Sequence, residues 1–136
     1  MTQRTIGNAA REAGVGVETI RFYERKGLIT QPPKPRHNGY RSYSNKIVER
    51  IQFIRNAQAL GFSLREIHEL LALHADPNTE CSSVRTRASA KLEEVERKMA
   101  QLRDIRSVLK ELISSCPQKG PAAGRCTILG NLGPKK

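Results

Sequence analysis

The run from Ser82 to Ser114 contains neither proline nor glycine and carries apolar residues at coiled-coil spacing, so one continuous helix is expected there. Its length is restrictive. At roughly 1.5 Å per residue, the 35 positions separating Cys81 from Cys116 span about 50 Å, so these two thiols of one chain cannot meet on one ion. A second chain running antiparallel would bring its Cys81 beside the first chain's Cys116 and Cys126, which predicts two mixed thiolate sites per homodimer. Leu92, Val95, Met99, Leu102, Leu109 and Ile113 supply an a/d repeat, broadened by Ile105 and Leu112. Arg106 takes one a position, either fixing register between chains or snorkelling at the edge of the seam.

The rest of the chain differs in kind. All six aromatic residues, Phe22, Tyr23, Tyr40, Tyr43, Phe53 and Phe62, precede the long segment, so only the first half has the bulk for a globular core of its own. Charge is uneven as well: residues 1–60 hold 11 Lys/Arg against 4 Asp/Glu, and residues 61–136 hold 13 against 9. A small basic domain with arginines around its turns has the electrostatic footprint of a nucleic-acid binder, although charge also serves solubility. No apolar run reaches the ~18–20 residues that span a bilayer, and no secretory signal opens the chain, so a cytoplasmic protein without a membrane partner is expected. Three cysteines in a reducing compartment point to metal, redox or inert thiols over a disulfide framework.

Local signals divide the first half into helices. Thr5 can cap a helix from Ile6 with Ala9, Ala10 and Ala13 on its apolar face, and Gly14-Val15-Gly16 breaks it. A second helix from Val17 to near Gly27 should turn Val17, Ile20 and Phe22 toward the core and Glu18, Thr19, Arg21, Tyr23, Arg25 and Lys26 outward, which makes a helix-turn-helix. Pro32, Pro33 and Pro35 forbid helix and Asn38-Gly39 favours a hairpin turn, so a short two-stranded wing is expected. Ser44 can cap a third helix ending at Gly61, with Ile47, Ile51, Ile54 and Ala57 or Leu60 inward. Ser63-Leu64-Arg65-Glu66 is a capping-box sequence for a fourth, which should stop between His74 and Pro77. From Leu129 to Lys136 the tail should fray.

The stretch Val17-Glu18-Thr19-Ile20-Arg21-Phe22-Tyr23-Glu24-Arg25-Lys26-Gly27-Leu28, the wing residues Tyr40-Arg41-Ser42-Tyr43, and Ala59-Leu60-Gly61-Phe62-Ser63-Leu64-Arg65-Glu66-Ile67 closely resemble the MerR family of transcription regulators. The resemblance continues through Lys91-Leu92, Lys98-Met99-Ala100 and Val108-Leu109-Lys110-Glu111-Leu112, covers nearly the whole chain, and is nearest to the mercury-responsive members. It implies a mainly α protein: a winged helix-turn-helix DNA-binding domain (1–75), a hinge (76–80), a long antiparallel coiled-coil dimerisation helix (81–115), and a metal-binding loop with a C-terminal tail (116–136). Family members that sense divalent metals have a cysteine where copper-type sensors place a serine, and here that position is Cys81. The other two thiols of the mercury-responsive members map onto Cys116 and Cys126. Ser114 departs from a further cysteine there, and the loop after Cys116 is one residue longer and contains Pro117 and Pro121.

Three thiolates suit a soft ion that accepts trigonal coordination, Hg(II) or Pb(II), whereas a structural zinc site requires a fourth ligand. His74, Asp76 or Glu80 could supply one, so Cd(II) and Zn(II) stay open, as does a thiol redox sensor built on Cys116 and Cys126. Arg125 and Lys119 would favour thiolate at these positions. In a helix-turn-helix the second helix reads the major groove, which selects Thr19, Arg21 and Tyr23; Arg36, Tyr40, Arg41 and Tyr43 of the wing would hold the flanking backbone. No base and nucleophile pair converges in the sequence, so no enzymatic activity is expected. The function the resemblance implies is a mercury(II)-responsive homodimeric repressor and activator that binds promoter DNA and, with metal bound, presents the promoter of a resistance operon to RNA polymerase.

Overall fold

The structure is a computed structural model that describes residues 4–35, 39–117, 119–120 and 126–134. Six helices follow in order: α1 (Ile6–Ala13), α2 (Val17–Arg25), α3 (Asn45–Ala59), α4 (Leu64–Ala75), α5 (Cys81–Ser115) and α6 (Thr127–Leu132). The chain separates into two compact units, Met1–Val84 and Arg85–Lys136. No helix among the described residues is long and apolar enough to cross a membrane.

The helix starts follow their caps. Thr5 accepts from the Asn8 N–H, Ser44 from the Ile47 N–H, and Ser63 with Glu66 forms a reciprocal capping box, satisfying amide groups that helix starts leave unpaired. In the first unit α1 packs on α2 and α3, and α4 packs on α3, around Ala9, Ala13, Ile20, Leu28, Ile51, Ile54 and Ile67. Along α3 the buried set is Val48, Ile51, Ile54 and Ala57; Ile47 is only half-buried and Leu60 is exposed.

Gly14 ends α1 in the left-handed region, at φ 75°, and a Cβ there would sit 3.0 Å from Arg55 Nη1. An L residue in that conformation costs about 1–2 kcal/mol. Gly14→Ala is therefore expected to lower stability by about that amount in urea denaturation, with no change in the denaturant slope.

Three expectations are corrected. Tyr23 faces the core, 2% exposed, and Phe22 lies half-buried at its flank, because a helix repeats every three to four residues and Tyr23, not Phe22, follows Ile20 on one face. The described residues between Thr30 and Tyr43 form no strand: Pro32, Pro33 and Pro35 have no N–H to give a ladder. Side chains take the ladder's place, with Arg41 Nε donating to the Pro32 carbonyl at 2.9 Å. Asn38 of the expected hairpin turn lies outside the described residues. The tail does not fray throughout, since Thr127–Leu132 is helical and Asn131 Nδ2 donates to the Thr127 carbonyl at 2.9 Å.

In the second unit α5 leaves Leu92, Val95, Met99, Leu102, Leu109 and Ile113 exposed, Leu102 by 63%. Arg106 is exposed beside them. Lys91 is nearly buried and donates to Glu94 at 2.7 Å, and Lys98 pairs with Glu94 at 3.0 Å, both at helical spacing.

Candidate functional site

A cleft of about 580 Å³ separates α2 from the wing segment, lined by Ile6, Arg21, Glu24, Arg25, Gln31, Lys34, Gly39, Tyr40, Arg41 and Tyr43. Four of these side chains are cationic and one is acidic, a polarity suited to phosphate. Arg21 is exposed on α2 and makes a long 4.0 Å contact with Glu18. Thr19 is half-buried on the preceding turn. Tyr40 is 76% exposed, and Arg41 is half-buried with its Nε engaged by Pro32. Arg36 lies outside the described residues.

Tyr23 and Tyr43 do not share this exposure: Tyr23, expected outward on the second helix, and Tyr43, expected to hold the DNA backbone from the wing, are both turned inward. The Tyr23 hydroxyl donates to Gln58 Oε1 at 2.6 Å, and burial raises its pKa against the pull of Arg55. Tyr43 is 3% exposed, and its hydroxyl donates to Glu24 Oε2 at 2.9 Å. Burial first, then the Glu24 hydrogen bond and charge, push the Tyr43 hydroxyl up to about 12, so it stays a donor at physiological pH. Arg4, which the sequence did not single out, bonds the Tyr43 carbonyl at 3.0 Å and also reaches Asn45 and Glu12.

The thiols stand in two settings. Cys81 is the exposed first residue of α5. Cys116 follows the last turn of α5, and Cys126 caps α6, its Sγ accepting from the Leu129 N–H at 3.5 Å. Cys116 and Cys126 are half-buried, and Ser115 Oγ lies 3.2 Å from Thr127 Oγ1, so the end of α5 meets the start of α6 and the two thiols are neighbours within one chain; the Cys116 thiol donates to the Pro117 carbonyl at 3.6 Å. Desolvation, then the hydrogen bond and charge of Cys126, raise the Cys116 thiol pKa. Cys126 is lowered, chiefly by the Leu129 backbone N–H, with the Ile128 N–H and Cys116 adding to it against desolvation. The start of α6 thus favours the Cys126 thiolate; Arg125, expected to do the same, lies outside the described residues. Among the described residues of one chain, no three His, Cys, Asp or Glu side chains converge as a metal site.

His74, considered above as a fourth ligand, instead stacks on Phe53 with ring centres 5.4 Å apart. His68 lies 3.2 Å from the Lys26 carbonyl, and Arg50 Nε donates to the Leu28 carbonyl at 2.7 Å, so two side chains satisfy backbone acceptors just after α2.

Residues 4–73 match the family described as MerR HTH family regulatory protein, and residues 48–112 match that described as MerR, DNA binding. The mercuric resistance operon regulatory protein of Shigella flexneri is 46% identical over 129 residues, covering 94% of this chain and 86% of its own length. Among solved structures, the transcription regulator PbrR691 from Ralstonia metallidurans CH34 in complex with lead(II) superposes with a TM-score of 0.81 at 33% identity, covering 98% of this chain and 100% of that one. The regulator MerR from Bacillus megaterium MB1 in complex with mercury(II) gives 0.69 at 35%, covering 95% and 98%. With family models matching residues 4–73 and 48–112 and a relative 46% identical over 94% of this chain, the protein belongs to the MerR family of transcription regulators.

Proposed function

We propose that this chain is a mercury(II)-responsive regulator, active in the cytoplasm as a homodimer, that binds double-stranded promoter DNA and activates a resistance operon when metal is bound. The observation that carries this reading is the neighbouring pair of free thiols Cys116 and Cys126, two soft donors placed side by side where Ser115 meets Thr127, one of them accepting from the Leu129 amide. The name of the Shigella flexneri relative, a mercuric resistance operon regulator, supports the same ion. Cys81 of a second chain completes the set, because α5 runs unbroken for 35 residues from Cys81 and pairs antiparallel through its exposed apolar stripe. Three thiolates are a fitting donor set for Hg(II). Lead(II) is the second reading, favoured by the likeness to the lead-bound regulator. Cd(II), Zn(II) and thiol oxidation are the remaining competitors.

On DNA, Arg21 and Thr19 approach base edges while Arg41 and Tyr40, with Arg36, hold phosphates. Bringing Cys81 toward the partner's thiol loop turns the two DNA-binding units against one another, through residues 76–80, and so untwists and kinks the promoter for RNA polymerase. Metal can shift that balance only by its differential affinity for the two states, so both states bind the operator.

Anaerobic competition of Hg(II), Pb(II), Cd(II) and Zn(II) for the reduced dimer, combined with footprinting on the operator, tests the whole. Mercury should win, with equal protection in both states and altered reactivity at the operator centre once it is bound. Release of the protein from DNA by metal, at matched salt, would indicate simple derepression instead.

A further inference from the structure

The wing segment has no ladder among its described residues, so something else must set it against α2. Its two ends are held by side-chain and backbone hydrogen bonds. Near the start, the Pro32 carbonyl accepts from Arg41; at the end, the Tyr43 N–H donates to the Arg4 carbonyl at 2.8 Å and the Tyr43 carbonyl accepts from Arg4 Nη1 at 3.0 Å. From that fixed peptide the Tyr43 side chain crosses to α2 and ends on the Glu24 carboxylate at 2.9 Å.

Glu24 is the one acid among the described residues lining the basic cleft, where a negative charge opposes phosphate binding. It lies three residues after Arg21, on the same face of α2, and Tyr43 lies two residues after Arg41. Tying Glu24 to Tyr43 therefore ties the base-reading arginine to the wing arginine. Accordingly, we propose that Tyr43 and Glu24 form a positioning latch that fixes the wing against the recognition helix, and that it governs how sharply the protein selects its DNA sequence more than how tightly it holds DNA in general. Neither residue needs to touch DNA for this. A latched cleft meets phosphates and base edges in one register, which rewards the matching sequence, whereas phosphate contacts alone tolerate a loose wing. Burial keeps the hydroxyl protonated, so the latch stays closed across physiological pH.

The proposal rests on the DNA-binding reading, and the test separates the two. Wild-type dimer first selects a consensus from a random duplex library; affinity for that consensus and for a random duplex is then measured for wild type, Tyr43→Phe, Glu24→Ala and the double variant, with thermal melts alongside. Tyr43→Phe should weaken consensus binding about tenfold, as expected for one lost hydrogen bond to a charged group. Random-duplex binding should stay within about twofold, with an unchanged salt slope. Glu24→Ala should raise random-duplex binding and lose the same selectivity, and the double variant should lose no more selectivity than either single one, because one bond is being removed twice. A selectivity ratio unchanged in Tyr43→Phe, with only the melt lowered, would overturn the latch, as would additive losses in the double variant. Failure of the wild type to yield any consensus would overturn the promoter-binding reading, and the latch with it.

Discussion

A heterodimer that joins a Cys81→Ala subunit to a Cys116→Ala/Cys126→Ala subunit should bind one Hg(II) through three thiolates, while neither parent homodimer does. In an antiparallel pair, the intact Cys81 of the second subunit faces the intact Cys116 and Cys126 of the first, and the other end of the dimer has lost all three ligands. Each homodimer should lose metal affinity by more than ~100-fold, since even outer-shell changes at metal sites cost about 10–100-fold. Ultraviolet thiolate-to-metal absorbance, followed in an anaerobic titration of differentially tagged subunits, gives the stoichiometry directly. A heterodimer with no three-thiolate site rules out sites shared between antiparallel chains.

The second large effect concerns the exposed stripe on α5. Replacing Leu102, 63% exposed in the single chain, with aspartate should weaken the dimer by at least ~100-fold, because each seam would have to bury an unpaired carboxylate. Sedimentation over a concentration series reads the shift from dimer to monomer. DNA affinity should fall with it, since one helix-turn-helix cannot span two half-sites. The N-terminal unit has its own core of Ile20, Ile51, Ile54 and Ile67, so its helical signal and melting should persist when the dimer is lost. A stable Leu102→Asp dimer would place the subunit contact elsewhere.

Features with a local cause could be read from the sequence. Thr5, Ser44 and Ser63 announce helix starts through hydrogen bonds three residues long, and Gly14 and Gly61 announce ends by their backbone freedom. The long helix needed only the absence of proline and glycine and a steady apolar repeat. What escaped depends on residues far apart in the chain or on segments too short for a period. Arg4 meets Tyr43 across 39 positions, and no local pattern marks an arginine near the chain's start as the anchor of a wing. Tyr23 carried the hydroxyl of a DNA contact and the spacing of a core residue; the hydroxyl misled, and Gln58, 35 positions on, explains how it is buried without loss. The six residues of α6 hold too few turns to show an apolar face. The three cysteines stood out in the sequence because they bracket α5, but the closeness of Cys116 and Cys126, shown by the Ser115–Thr127 contact, is not specified by spacing alone.

Cys126 occupies a position where helices favour serine, threonine, aspartate or asparagine, whose oxygens accept an amide hydrogen far better than sulfur does. A helix of six residues lies well below the ~12–15 that hold together unaided, so α6 draws on its Cys126 cap together with contacts such as that of Asn131 with the Thr127 carbonyl. Choosing sulfur there forgoes helix-coil stability that a hydroxyl would have supplied at no cost in size. A thiolate narrows the gap by accepting with a full charge, and a metal ion bound to the same sulfur, as proposed, would draw that charge away from the Leu129 amide. On the proposed metal role, folding of α6 and occupancy of the sulfur would draw on the same lone pairs, so the helix would report the state of Cys126 through the charge on one atom.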